Sequence, residues 1–141
     1  MKIFDKKIFK YFVIVLIFIN LLYWIANKKG FFSDEIFSYG SSNYKYDNVF
    51  LGYDYNDTSE KKKPIWRTRE EAKDYLTVGL SDIIRFDITY MNQVKDVHPP
   101  LFYILVHLVS IFFLGTFSKY IIFIINTVAF GLILYFLKKI I

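Results

Sequence analysis

Three long apolar runs, separated by polar segments, dominate the pattern along the chain. The first run, Tyr11–Ala26, has no charged residue, and with the residues just before it the run reaches the ~20 residues that a bilayer crossing needs. The pattern therefore predicts an all-α membrane protein with three transmembrane helices and a long external loop that carries amphipathic interfacial helices. The predicted segments are 1–26 (cytoplasmic N-terminus and first span), 27–98 (external loop), 99–118 (second span) and 119–141 (third span).

The second apolar run opens on a double proline, Pro99-Pro100. Proline suits the first turn of a helix, where its missing N–H would have no intrahelical partner. A membrane helix is therefore predicted to start here, with Asp96 and His98 just before it at the membrane surface. Ionisable residues in such a place are candidates for function, although a helix-start anion and a wetted interface histidine would explain them equally well.

The basic N-terminal residues set the predicted orientation of the first helix. Lys2, Lys6, Lys7 and Lys10 precede the apolar run, so the positive-inside rule places this end in the cytoplasm. No small-residue cleavage site follows, and Tyr23-Trp24 resembles an aromatic belt, which favours a retained helix over a signal peptide. A tight turn over 115–119 is predicted to join the second and third spans. With three spans, Lys119 faces the cytoplasm, whereas Lys138-Lys139 lies outside and breaks the positive-inside pattern.

The external segment contains signals for three short helices. Ser33 precedes Asp34-Glu35 and is predicted to cap the first of them. Thr68-Arg69-Glu70-Glu71 has the form of a capping box, which predicts a second helix over 69–78 that ends near Gly79. Ser81 or Asp82 is then expected to cap a third helix lying on the bilayer or against the bundle. Its predicted apolar stripe is Ile83, Phe86, Tyr90, Val94 and Val97, and its predicted polar face is Asp82, Arg85, Asp87, Asn92 and Lys95.

Composition supports the membrane class. The chain has 141 residues, of which 55% are hydrophobic, above the roughly 45–50% of soluble domains. Its net charge of +5 forms no basic stripe, so we expect membrane lipids and no nucleic acid as partners. His107 and Asn126 lie within the predicted spans and are expected to face other helices through structural hydrogen bonds.

Residues 96–103 resemble the Asp-x-His-Pro-Pro-Leu-x-Tyr element of bacterial GT-C fold glycosyltransferases similar to protein mannosyltransferases. That family also has an acidic pair after its first membrane helix, which Asp34-Glu35 resembles. A third likeness is Asp74-Tyr75-Leu76-Thr77-Val78 followed by Tyr90-Met91-Asn92-Gln93, which is similar to the external loop of the same group. The order and spacing of these elements match over most of residues 1–110.

The resemblance implies a multi-pass protein of the bacterial cell membrane that moves a sugar from a polyprenyl-phosphate donor to an acceptor hydroxyl on the outer face. It implies that Asp34 is the catalytic base, that Glu35 supports it, and that Asp96 and His98 lie near the leaving phosphate or a divalent metal. Oxygen and imidazole ligands suit Mg, Mn or Zn. Since the reaction needs base, acceptor and donor nearly in line, Asp34 is predicted to meet Asp96 and His98 at one outward-facing cavity.

Members of the family carry several further membrane helices, so the resemblance covers an N-terminal portion. We expect this portion alone not to transfer sugar, and a companion chain with the remaining spans is an implied partner. The alternative is a truncated, non-catalytic membrane protein that binds a partner or lipid through its external loop.

Overall fold

A computed structural model describes residues 6–44, 68–94, 96 and 98–140, and these residues form helices and connections without any strand. The helices are α1 (Lys6–Asn27), α2 (Ser33–Asn43), α3 (Arg69–Leu76), α4 (Phe86–Val94), α5 (Pro100–Ser110) and α6 (Tyr120–Ile140). Two 3₁₀ turns, Leu80–Asp82 and Ile111–Phe113, precede α4 and extend α5. The all-α prediction is thus confirmed for the described residues.

Two of these helices have the length and apolar character to cross a membrane. One lies in α1, over Lys7–Asn27, and the other is α6, over Tyr120–Ile140. Helix α1 belongs to a separate compact unit, Met1–Gly30, and the remaining helices belong to the unit Phe31–Ile141. Near the end of α1, the rings of Tyr23 and Trp24 pack edge to face at 5.9 Å, where the sequence predicts an aromatic belt.

The predicted second span, 99–118, forms a shorter helix than expected. Helix α5 begins at Pro100, as the double proline predicts, but helical structure ends at Phe113. Pro100–Phe113 is about 21 Å long at 1.5 Å per residue, against about 30 Å for the hydrocarbon core of a bilayer. The chain turns at Gly115, which has a φ of +62° and donates its N–H to the Val78 carbonyl at 3.0 Å. The turn predicted over 115–119 is therefore present, and this tertiary contact holds it.

The second unit is built around α2, which packs on α3, α4 and α5. Its apolar core consists of Tyr39, Val106, Ile121 and Ile125, so the first turns of α6 belong to the bundle. The Tyr39 hydroxyl donates to the Ser118 carbonyl at 2.7 Å and lies 3.4 Å from the Ile122 amide, and these contacts hold the start of α6 against α2.

Of the short helices in the external segment, α3 starts with a full capping box and α2 with only half of one. In α3, the Thr68 hydroxyl accepts from the Glu71 amide at 3.1 Å and the Glu71 carboxylate accepts from the Thr68 amide at 2.7 Å, which confirms that prediction. The helix ends at Leu76, earlier than predicted. In α2 the predicted N-cap was wrong by one residue, because Phe32 is the N-cap and Ser33 is the first helical residue.

Part of the predicted polar face of α4 is buried, and that part of the prediction was wrong, whereas the expected contact of its apolar stripe with the bilayer stays a prediction. A 3₁₀ turn precedes α4, and the helix buries Thr89, Asn92 and Gln93, while Tyr90 and Val94 are more than half exposed. Asp82, assigned to the polar outer face, is also buried. Two of the predicted positions, Val97 and Lys95, lie outside the described residues.

The reason for this inversion lies at the C-terminal end of α2. A helix leaves its last four carbonyl groups without intrahelical partners, and here that end is buried. Asn92 Nδ2 donates to the carbonyls of Ser41 and Tyr44, both at 3.2 Å, and Thr89 Oγ1 donates to the Ser42 carbonyl at 2.7 Å. The polar side chains of α4 therefore face inward to satisfy the end of another helix.

His107 completes this buried network. It is 1% exposed, and its Nδ1 lies 3.1 Å from the Ser42 carbonyl, so Nδ1 carries the proton and donates. The predicted structural hydrogen bond of His107 is confirmed. Asn126 is exposed on α6, and its expected contact with other helices stays a prediction.

Alkaline solution is expected to destabilise the bundle. Burial raises the pKa of Tyr39 and of Tyr75 from 10.0 to about 12. Because the folded pKa is the higher one, the free energy of unfolding is at its full value below pH 10 and falls between pH 10 and 12, where the unfolded chain ionises first. Denaturant titrations at several pH values measure this loss. A Tyr39→Phe variant should show a smaller loss over the same interval, and an equal loss would contradict the assignment to Tyr39.

Candidate functional site

A cavity of about 630 Å³ opens between α2 and the start of α5. The residues lining it are Asp34, Phe37, Ser38, Ser41, Asp96, His98 and Tyr103. Asp34 is thus brought to the same cavity as Asp96 and His98, from which it is separated by about 60 residues of sequence. The three residues line one cavity, as predicted, and the outward orientation of this cavity at the membrane surface stays a prediction.

The cavity follows from the way α2 runs beside α5. Asp34, Ser38 and Ser41 recur at steps of four and three residues, so they share one face of α2. Further along the two helices, the side-chain amide of Asn43 donates to the Ser110 hydroxyl at 3.2 Å. One turn earlier on α5, His107 contacts the Ser42 carbonyl. The two helices therefore run in the same direction, and their first turns bring Asp34 and Tyr103 to one end.

Asp96 and His98 form a pair at the mouth of the cavity. His98 Nδ1 lies 3.1 Å from the Asp96 carboxylate, which can only accept, so Nδ1 carries the proton. The side chains are 56% and 38% exposed for His98 and Asp96. The carboxylate orients the imidazole and leaves Nε2 for a ligand in the cavity, while the Tyr103 ring lies 6.0 Å from the imidazole between ring centroids.

The two acidic residues of α2 take different positions. Asp34 lines the cavity, whereas the Glu35 carboxylate accepts from the Phe32 amide at 2.9 Å and caps the start of its own helix. The helix-start explanation of acidic residues therefore describes Glu35, which is not among the lining residues. The catalytic support assigned to Glu35 stays a prediction.

Four lining residues were missed in the sequence. Ser38 and Ser41 could have been found from their helical spacing to Asp34, and Phe37 lies on the same turn as Ser38. Tyr103 ends the octapeptide that marks the start of α5, and its position one turn after Pro99 indicates the face that it occupies. It is 8% exposed and interacts with the Ser38 side chain.

The expected divalent metal stays a prediction. In the part of the chain that the structure describes, no group of three or more His, Cys, Asp or Glu side chains is arranged around a common point. Asp34, Asp96 and His98 line the cavity, and His98 is hydrogen-bonded to Asp96. The chemistry below therefore uses only the carboxylates and the imidazole.

In the part of the chain that the structure describes, the fold is all-helical, with two helices of membrane-spanning length and a cavity lined by two carboxylates and a histidine. Comparison of the chain with protein-family models, with curated proteins and with solved structures finds no match.

Proposed function

We propose that the chain is the N-terminal portion of a bacterial multi-pass membrane glycosyltransferase, which moves a sugar from a polyprenyl-phosphate donor to an acceptor hydroxyl on the outer face. The observation that carries the proposal is the meeting of Asp34 with the Asp96–His98 pair in one cavity. A residue that acts only as a helix cap has no need to face residues so distant in sequence. Two carboxylates, two serines and two aromatic rings also suit the hydroxyl groups and apolar face of a sugar.

In this mechanism Asp34 takes the proton of the acceptor hydroxyl as its oxygen attacks the anomeric carbon. The bond between that carbon and the phosphate oxygen breaks, and the electron pair leaves with the phosphate. His98, oriented by Asp96, donates a hydrogen bond from Nε2 in its protonated form to the departing phosphate. Attack from the side opposite the phosphate inverts the configuration of the sugar.

The chain contains two histidines, and this makes ligand binding directly observable. We expect polyprenyl-phosphate sugar, added to the chain in lipid nanodiscs with isotope-labelled histidine, to shift the NMR signals of His98. His107 is buried in the α2–α5 interface and serves as the internal control, so its signals should stay in place. A saturating ligand that leaves His98 unmoved would contradict the proposal and favour the alternative of a non-catalytic partner-binding protein.

Two matched substitutions sharpen this test. Asp34→Asn should weaken binding by about tenfold, since a hydrogen bond to a charged group contributes about 1.5 kcal/mol. Asp87→Asn removes an exposed carboxylate outside the cavity, which forms an ion pair with the neighbouring Arg85, and should leave the affinity unchanged. Equal effects of both substitutions would show that surface charge, rather than the cavity, holds the ligand.

A further inference from the structure

Helix α5 presents an apolar stripe to its surroundings over its whole length. The stripe consists of Leu101, Leu105, Leu108 and Phe112, which recur at steps of four, three and four residues and are 68%, 37%, 44% and 80% exposed. The opposite face carries Tyr103, Val106, His107 and Ser110, all buried in the bundle. An apolar stripe of this length needs an apolar partner.

Charged side chains flank α5 at both of its ends. At the start, the exposed Asp96–His98 pair lies beside Pro99. At the far end, the Lys73 ammonium lies 4.0 Å from the position that a Cβ on Gly115 would occupy. Both ends of α5 therefore lie beside groups that require water or lipid headgroups.

A charged pair also lies beside the middle of α5. The Phe86 ring packs on His107 at 4.9 Å, and the adjacent Arg85 and Asp87 form an ion pair at 3.2 Å with side chains 45% and 66% exposed. If α5 stood upright in the bilayer, His107 would lie about 10 Å below Pro100, inside the hydrocarbon. The exposed pair would then face acyl chains, where a charged side chain costs several kcal/mol.

We infer that α5 does not cross the membrane: it lies along the outer leaflet with Leu101, Leu105, Leu108 and Phe112 against the acyl chains, and the chain crosses only through α1 and α6. The surface that α5 offers is therefore a lipid-binding surface. In this flat orientation of α5, the stripe lies in lipid and the charged groups at both ends of the helix lie at the headgroups. The partner of the apolar stripe is lipid because α6, a helix of membrane-spanning length, packs on the same core through Ile121 and Ile125.

A topology with two crossings also agrees with the positive-inside rule. With two crossings, Lys138 and Lys139 at the end of α6 lie in the cytoplasm, on the same side as the basic residues before α1. With three crossings they lie outside. Lys119 instead faces the outer headgroups, with its ammonium 5.6 Å from the centre of the Tyr120 ring. The inference keeps the cavity on the outer face and does not depend on what the cavity binds.

Single cysteines distinguish the two topologies, since the chain has no cysteine of its own. Thr116→Cys, between α5 and α6, should react with an impermeant maleimide in intact cells. Ile140→Cys, at the end of α6, should react only after lysis. Glu70→Cys on α3 is outside in both topologies and serves as the control for expression and labelling.

The opposite labelling, Ile140→Cys outside and Thr116→Cys inside, would overturn the inference and make α5 a span. Labelling of both sites in intact cells would also overturn it, because α6 would not cross. Spin labels at Leu101, Leu105, Leu108 and Phe112, one at a time, measure depth in vesicles. A similar shallow depth at all four positions supports the flat orientation, whereas a steady increase in depth from the first to the last contradicts it.

Discussion

Replacing Gly40 with alanine is expected to cost about 3 kcal/mol of the free energy of unfolding, or more. A Cβ at this position would overlap the Cζ, Cε1 and hydroxyl atoms of Tyr75. The Tyr75 ring is 1% exposed and packs against Tyr44 at 5.1 Å, so it cannot move aside without disturbing α3. Overpacking of a filled core typically costs 1–3 kcal/mol, and backbone shifts add to this.

Gly131→Ala on α6 is the matched control, since nothing lies within 4 Å of its added Cβ. Glycine within a helix is less favourable than alanine, so this change should be neutral or slightly stabilising. Denaturant unfolding in detergent, followed by circular dichroism, measures both variants. The double variant Gly40→Ala/Tyr75→Ala should be no less stable than Tyr75→Ala alone, because the overlap disappears with the ring. A full additive loss would show that the cost does not come from this contact.

Asn92→Leu is expected to lower the free energy of unfolding by about 2 kcal/mol, although leucine has nearly the same size. Asn92 is 4% exposed, and its amide donates to the carbonyls of Ser41 and Tyr44. Without it, these groups at the end of α2 lose a buried donor, and each unsatisfied group costs about 1–3 kcal/mol. The gain from burying leucine offsets part of that loss.

Asn126→Leu provides the comparison, because Asn126 is exposed on α6. The same substitution there should change stability by less than about 0.5 kcal/mol, as surface changes usually do. Equilibrium unfolding in the same detergent measures both variants. If Asn92→Leu stabilised the bundle, the polar interior of α4 would have no role in holding α2, and the explanation of its inverted burial would be wrong.

The sequence determined much of the helix plan. The apolar runs predicted α1 and α6, the double proline predicted the start of α5, and the capping box predicted α3, because these signals act within a few residues along the chain. Local steric and hydrogen-bonding rules suffice for such features. Three of the four predicted site residues, Asp34, Asp96 and His98, line one cavity, and for these the quoted resemblance supplied the choice of residues.

Only the tertiary structure decided which faces are buried and where the apolar run of α5 stops. Periodicity assigned Asn92 to the outer face of α4, but the unpaired carbonyls of α2 draw it inward. The sequence predicted a turn over 115–119, but helical structure already ends at Phe113, and the hydrogen bond from Gly115 to the Val78 carbonyl holds the turn. Both results depend on backbone groups of a distant segment, and every residue type except proline has the same backbone groups. The pattern of side chains along the chain therefore does not indicate these backbone contacts, and only the tertiary structure shows them.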